Sequence, residues 1–340
     1  MIHPRISVLL PCRNASATLD DAVESVLRQT LDDLEVVAVD DGSSDETPAR
    51  LDQWAQQDRR MRVLRRPHAG LLESLNTGLA ECRASLIARM DADDRSHPER
   101  FAHQSELLNA QPDLAAVGCL VEAFPSESIG PGLKLYLDWQ NSLITPESIA
   151  REIYVESPLV HPSVMMRASW LRRVGGYQDH GWPEDYDLWL RLHADGGRFA
   201  KVPQMLFHWR EHPGRLTHSD PRYAIDSFLR AKACYLSRGP LWGRKSVILW
   251  GAGIVGKKLS RLFLADGLPV TAFVDIDPAK IGRTRRGLPV IGPQGFMTLW
   301  RQSPQPVLLA TVGARGARAV VRQQITSLGL VEGQDWWAVA

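Results

Sequence analysis

The chain has 340 residues, 44% apolar and 23% charged, and its 40 Lys and Arg offset 39 Asp and Glu to a net charge of +1. That length suits roughly two globular domains, and the composition excludes a disordered or low-complexity protein. So even a charge balance argues against general polyanion binding, and no nucleic-acid partner is expected.

Residues 6–10 (Ile-Ser-Val-Leu-Leu) form a short apolar strand before Pro11, and 15–29 carry Leu19, Ala22, Val23, Val26 and Leu27 at helical spacing. A second strand, 34–39, runs into Asp40-Asp41-Gly42-Ser43. A helix over 47–57, a short strand at 62–64 and a helix over 71–82 follow. The strand at 85–90 ends in Asp91-Ala92-Asp93-Asp94. This rhythm predicts a parallel sheet covered on both faces, whose ligands bind at the carboxyl ends of the strands. The polar clusters at 11–14, 40–43 and 91–94 all fall at such ends.

The pattern then loosens. Strands are expected at 115–124, 161–167, 199–202 and 205–209, and helices at 146–155, 186–194 and 220–236. Ser237-Arg-Gly-Pro240 breaks the chain, and the domain boundary is placed there, giving 1–239 and 240–340. Past it, a strand at 247–250 leads into Gly251-Ala-Gly253-Ile-Val-Gly256 and a helix, and a strand at 270–274 ends at Asp275. A strand at 307–311, a helix over 315–328 and a last apolar stretch complete a small α/β unit. Gly-x-Gly-x-x-Gly after a strand, trailed by an acid, is the context of a dinucleotide fingerprint, with Gly251, Gly253 and Gly256 for close pyrophosphate approach and Asp275 for a ribose hydroxyl.

Four cysteines (Cys12, Cys82, Cys119, Cys234) lie far apart without a C-x-x-C pair, which suits a reducing cytoplasm. No apolar stretch approaches the ~18–20 residues of a membrane span. The expected location is the cytoplasm, with peripheral attachment at the inner face of a membrane left open.

Taken as bare chemistry, Asp91 and Asp93 in an extended segment point to one side and Asp94 to the other, a hard-oxygen pair suited to Mg²⁺ or Mn²⁺. The same residues also suit a solvated turn before a helix capped by Ser96. Asp41 is placed to accept from a nucleobase imide or a ribose hydroxyl, or to close an Asx turn with Asp45 capping the next helix. Asn14 is a candidate cap of the first helix. Asn76 and Gly78 are poor helix formers inside a helix, which points to a functional reason for Asn76 and to function or close packing for Gly78. In Trp182-Pro-Glu184-Asp185-Tyr-Asp-Leu-Trp-Leu-Arg191 the acids sit at a helix's positive end, as a general base or as partners of the helix dipole.

The ordered set Ile6-Ser-Val-Leu-Leu-Pro-Cys-Arg-Asn14, Val26-Leu-Arg-Gln-Thr30, Val39-Asp-Asp-Gly-Ser-Ser-Asp45, Asn76-Thr-Gly78 and Met90-Asp-Ala-Asp-Asp94 resembles the family 2 glycosyltransferases over roughly residues 5–215. The resemblance implies a GT-A fold and inverting transfer of a sugar from a nucleotide-diphosphate donor. It implies that Pro11, Asn14, Asp41, Asn76, Asp91 and Ala92 line the donor-nucleotide site, that Asp93 with Asp91 and His212 holds the metal, and that His161 lies near the acceptor. It implies Asp185 as base, with Glu184 holding or orienting the acceptor. Cys12-Arg13 stands where the family often has a small residue followed by an aromatic, which leaves the donor base open; UDP is expected as the family's commonest. A Gln-x-x-Arg-Trp signature is absent, so a single-addition enzyme is expected, acting on a saccharide, lipid-linked or other glycoconjugate hydroxyl. The second domain resembles the small Rossmann-like domain attached to sugar-modifying enzymes, a scaffold or homo-oligomer contact or a holder of NAD or a nucleotide-sugar. Two other readings are an NAD-linked nucleotide-sugar oxidoreductase, which the missing Tyr-x-x-x-Lys pair disfavours, and an inactive nucleotide-sugar-binding protein, which the intact Asp91, Asp93, Glu184 and Asp185 disfavour.

Overall fold

The computed structural model describes residues 4–314 and 316–340. It divides into two compact units, one running to Ala150 and continuing through Pro158–His180 and Glu184–Ser219, the other made of Arg151–Ser157, Gly181–Pro183 and Asp220–Ala340.

The first unit is built on β1 (Ile6–Cys12), β2 (Leu34–Asp41), β3 (Met61–Arg66), β4 (Leu86–Arg89), β5 (Arg95–Ser96), β6 (Leu114–Phe124), β7 (Met165–Arg167) and β8 (Arg198–Arg210). They form one sheet in the order β3-β2-β1-β4-β7-β6-β8-β5. β1, β2, β3 and β4 pair in parallel, whereas β7 is antiparallel to both β4 and β6. Every residue of β1 and β2 is buried, as parallel strands covered on both faces require. The chain winds outward from β1 to β3, then returns to place β4 on the other side of β1. That reversal opens a crevice at the carboxyl ends of β1 and β4, where Asn14 and the acids from Asp91 onward begin.

Helix Leu19–Leu27 buries Leu19, Ala22, Val23 and Val26, the stripe its spacing predicts. Helix Leu71–Glu81 lies so close to the sheet that a Cβ built on Gly78 would stand 2.3 Å from Leu9 Cδ1 and 2.9 Å from Val39 Cγ2. Packing therefore accounts for this glycine. Gly78→Ala gains helix propensity of about 1 kcal/mol but overfills a core where such insertions cost about 1–3 kcal/mol. The expected result is a thermal midpoint lowered by a few degrees, read by circular dichroism; an unchanged or raised midpoint contradicts the packing account.

Several expectations need correction. Residues 161–167 are not one strand: Pro162 lacks an N–H for a ladder, and His161–Ser163 is a 3₁₀ turn before the three residues of β7. The two strands expected at 199–202 and 205–209 are the single β8, with Pro203 and Gln204 taken up where its register against β6 shifts. Ser96 caps no helix. It lies in β5, where its N–H meets Ser25 Oγ at 3.0 Å, and Pro98 delays the helix to Arg100–Ala110. Residues 220–236 split at Pro221 into a 3₁₀ turn and helix Ile225–Arg238.

The second unit holds β9 (Ser246–Trp250), β10 (Val270–Val274), β11 (Thr284–Arg285), β12 (Leu288–Ile291), β13 (Pro306–Ala310) and β14 (Trp336–Ala338), in the order β11-β12-β10-β9-β13-β14. All neighbours are parallel except β11 with β12. Leaving out the β11 hairpin, this is a doubly wound Rossmann-like sheet, with its reversal between β9 and β13. Residue 315, the expected start of the last helix, lies outside the described residues; that helix spans Ala317–Ser327. Among the described residues no helix is long and apolar enough to cross a membrane.

Candidate active site

Two loops close the β1 and β2 end of the crevice. Pro11 is buried inside β1 opposite Val39 and fixes the exit of the strand. Asn14 caps no helix: Thr18 occupies that position. Instead Asn14 takes a positive φ of 48°, its N–H donates to Ser43 Oγ at 3.0 Å, and its Oδ1 accepts from the Ser44 N–H at 2.8 Å. Asp45 accepts from the N–H groups of Ser16 and Thr47. The 11–14 and 40–45 loops are thus stitched together. Asp41, 3% exposed, accepts from the N–H groups of Ala69 and Gly70, both at 2.9 Å, with His68 Nδ1 at 2.7 Å. Burial alone raises a carboxyl pKa, but these donors hold Asp41 below the ordinary carboxylate range. His68 carries no signature in the sequence that marks it for this pairing.

At the end of β4 the residues from Asp91 to Asp94 form a turn, with the Asp94 N–H reaching Asp91 O. This overturns the extended geometry assumed from sequence. Asp94 does not point away, and carboxylate oxygens of Asp91, Asp93 and Asp94 all lie within 4.8 Å of one another. Ala92, buried between them, gives its carbonyl to Thr18 Oγ1 at 2.9 Å. His212 Nε2 stands 2.9 Å from Asp93 Oδ2. Arg210 donates its N–H to Asp94 Oδ1 at 2.7 Å and its Nε to Asp93 O at 2.6 Å, while its guanidinium stacks over Phe124. Burial and the neighbouring acids push the carboxyl pKa of Asp93 up, against the pull of His212, and that of Asp94 well up. Asp94 Oδ2 is buried with no hydrogen-bond partner. Crowded carboxylates with an orphaned oxygen and an imidazole beside them form a donor set that a hard divalent cation satisfies.

The acceptor-side motif begins helix Glu184–Ala194. Glu184 is 2% exposed and Asp187 fully buried, leaving Asp185 as the acid of this turn that reaches the surface. Asp187 is consumed by Arg191 Nε at 2.6 Å and His180 Nδ1 at 2.9 Å. His161 lies under the helix start, its Nδ1 3.9 Å from Glu184 Oε1 and its Nε2 2.8 Å from the Tyr177 hydroxyl. Burial, helped by the charge of Arg89, holds the His161 pKa well below the usual imidazole value, so the ring is neutral. Asn76 faces this side: its Nδ2 donates to Tyr177 O at 2.9 Å and its Oδ1 accepts from the Tyr177 N–H at 3.0 Å. The amide thereby clamps a loop 101 residues away, a polar reason for an Asn inside a helix. Tyr177 hears both halves, since Glu184, Asp185 and Asp91 all act on its hydroxyl beside Arg89.

A family model described as "Glycosyl transferase family 2" matches residues 7–175, the strands and loops that build this crevice. The chain is 30% identical over 244 residues to "Putative glycosyltransferase EpsE" of Bacillus subtilis, covering 70% of this chain and 84% of that one. It belongs to glycosyltransferase family 2. The "Amylovoran biosynthesis glycosyltransferase AmsE" of Erwinia amylovora is 33% identical over 207 residues, 60% of this transferase and 75% of the relative. A crystal structure of S. aureus TarS residues 1–349 in complex with UDP-GlcNAc shares the fold at a TM-score of 0.58 and 16% identity, over 70% of this chain and 68% of that one.

In the transferase's second unit, the Asp275 carboxylate is engaged by the glycine loop, by its own loop and by a lysine. The Ala252 N–H donates to Asp275 Oδ2 at 2.9 Å, the Asp277 N–H to Oδ1 at 3.0 Å, and Lys280 Nζ lies 3.1 Å from Oδ2. A Cβ on Gly256 would fall 2.0 Å from Gly251 O, so that glycine is required by the loop itself. Gly253 faces open space.

Proposed function

We propose that residues 1–239 carry an inverting, metal-dependent, single-addition transfer from a nucleoside diphosphate sugar, with UDP as the expected nucleotide, to a hydroxyl of a saccharide or lipid-linked acceptor. The carrying observation is the convergence of Asp91, Asp93 and Asp94, with His212 on Asp93, at the crevice where β4 meets β1. Asp93, Asp91 and His212 would hold Mn²⁺ or Mg²⁺, which when bound offsets the charge of the departing diphosphate. Pro11, Asn14 and Asp41 bound the nucleoside side. Asp185 takes the acceptor proton as the acceptor oxygen forms its bond to the anomeric carbon, and the bond from that carbon to the phosphate oxygen breaks with its electron pair leaving on the diphosphate. Glu184 and neutral His161 orient the acceptor. AmsE is named for amylovoran biosynthesis, which supports a surface-polysaccharide precursor as acceptor, and work at the inner face of a membrane suits a lipid-linked one. The internal bonding of Asp275 favours a scaffolding or self-association role for the second unit over a dinucleotide.

The test is calorimetric titration of UDP, GDP, dTDP and NAD with and without Mn²⁺. One diphosphate is expected to bind, and only with the metal. If NAD alone binds, the working site moves to the second unit and the oxidoreductase reading replaces this one.

A further inference from the structure

The transfer scheme gives no task to a buried arginine at the site. Arg89, the last residue of β4, is 1% exposed. Its Nη2 meets Asp91 Oδ1 at 2.7 Å, but its Nε and Nη1 are buried without a hydrogen-bond partner. Among the described residues it is the only side chain that leaves two buried polar atoms unpaired. A buried donor left unmet is costly, and a guanidinium cannot shed its charge. A scaffold arginine looks different. Arg100, fully buried nearby in sequence, spends all three nitrogens, on Gln104 Oε1 (3.1 Å), Arg89 O (2.7 Å) and Met90 Sδ (3.8 Å), and lies against Phe101 and Phe207. An apolar side chain of similar volume would serve stability at position 89 at least as well.

What Arg89 has instead is its place. It touches Asp91 on the donor side, and its charge is felt by Glu184, Tyr177 and His161 on the acceptor side. Its free nitrogens are enclosed by protein, so a ligand does not reach them and the residue acts through others. We propose that Arg89 is a positioning residue for glycosyl transfer, fixing Asp91 from beneath and setting a permanent positive charge against Glu184 so that the donor and acceptor halves are held at one spacing. This rests on the transferase chemistry proposed above. Asp91, half-exposed, finds water if Arg89 is removed, but its carboxylate then loses its single anchored orientation.

Arg89→Met and Arg89→Lys test it against wild type, with UDP and Mn²⁺ as the calorimetric probe and UDP release from UDP-glucose, UDP-galactose and UDP-N-acetylglucosamine as the turnover assay. Arg89→Met is expected to weaken UDP binding with Mn²⁺ by no more than about tenfold, through the loosened Asp91, while kcat falls further, on the order of 10²-fold, the scale of a misplacement near 1 Å. Arg89→Lys keeps the charge without the fork and is expected to recover about tenfold of that loss. The inference is overturned if Arg89→Met keeps kcat within about threefold, if affinity and kcat fall in equal proportion, or if both variants lose turnover only together with thermal stability. Wild type that binds no diphosphate with Mn²⁺ would instead overturn the transferase chemistry, and this inference with it.

Discussion

Asp185→Asn is expected to lower kcat for transfer about 10²–10⁴-fold, the usual worth of a positioned general base, while donor binding with Mn²⁺ stays within a few-fold of wild type. The reasoning starts from the first turn of helix Glu184–Ala194, which carries three acids, Glu184, Asp185 and Asp187. Asp187 is spent on Arg191 and His180, and Glu184 is enclosed against His161. Asp185 alone combines surface access with a fixed carboxylate, one oxygen accepting from the Tyr186 N–H at 2.7 Å. Asn keeps that hydrogen bond and the side-chain volume, while the negative charge and the ability to accept a proton are lost. Kinetics of UDP release with acceptor present, beside calorimetry of UDP binding, separate the two effects. Equal activity in Asp185→Asn would move the base elsewhere in the crevice, and loss of UDP binding with activity would make Asp185 a donor-side residue.

The sheet of the first unit was legible because its strands alternate with helices whose apolar stripes are regular, and because the polar clusters ending β1, β2 and β4 stand out against buried runs. The irregular half was not, and the reasons are local. Pro162 and Pro203 act through backbone geometry that a hydropathy pattern does not register. The direction of Asp94 depends on a turn, whereas period-two reasoning assumes an extended chain. Asn76 was legible as an anomaly but not in its contact, since its partner Tyr177 is joined only by folding. Arg89 shows the limit most plainly. A charged residue closing an apolar strand two positions before Asp91 is visible in the letters, but that two of its nitrogens lack partners is a property of packing alone. In the second unit the fingerprint was legible and its use was not, because Asp275 turned inward to the Ala252 N–H is indistinguishable in sequence from Asp275 turned toward a ribose.

Asp93→Ala is expected to abolish the metal dependence of nucleotide binding and to lower kcat by at least about 10³-fold, with no loss of stability in the metal-free protein. The sign of the stability effect follows from crowding. Burial and Asp91 raise the Asp93 carboxyl, and Asp93 in turn helps raise Asp94, so removing Asp93 relieves repulsion at the cost of its contacts to His212 and to its own backbone N–H. A ligand that binds only the folded state adds about 2.7 kcal/mol at a concentration of 100 Kd. Wild type with Mn²⁺ and UDP should therefore unfold several degrees higher than without them, and Asp93→Ala should show the same midpoint in both conditions. The raised carboxyls also fix the direction of the pH effect: protons compete with the cation for these oxygens, so the shift produced by Mn²⁺ and UDP in wild type should shrink as pH falls toward the acid range. A variant that keeps the full shift would place the cation away from Asp93, on the Asp91 and Asp94 oxygens that remain. A metal-free Asp93→Ala that unfolds well below wild type would mean that the pairing with His212 outweighs the repulsion, and that this corner of the crevice is held together by the very residues proposed to receive the ion.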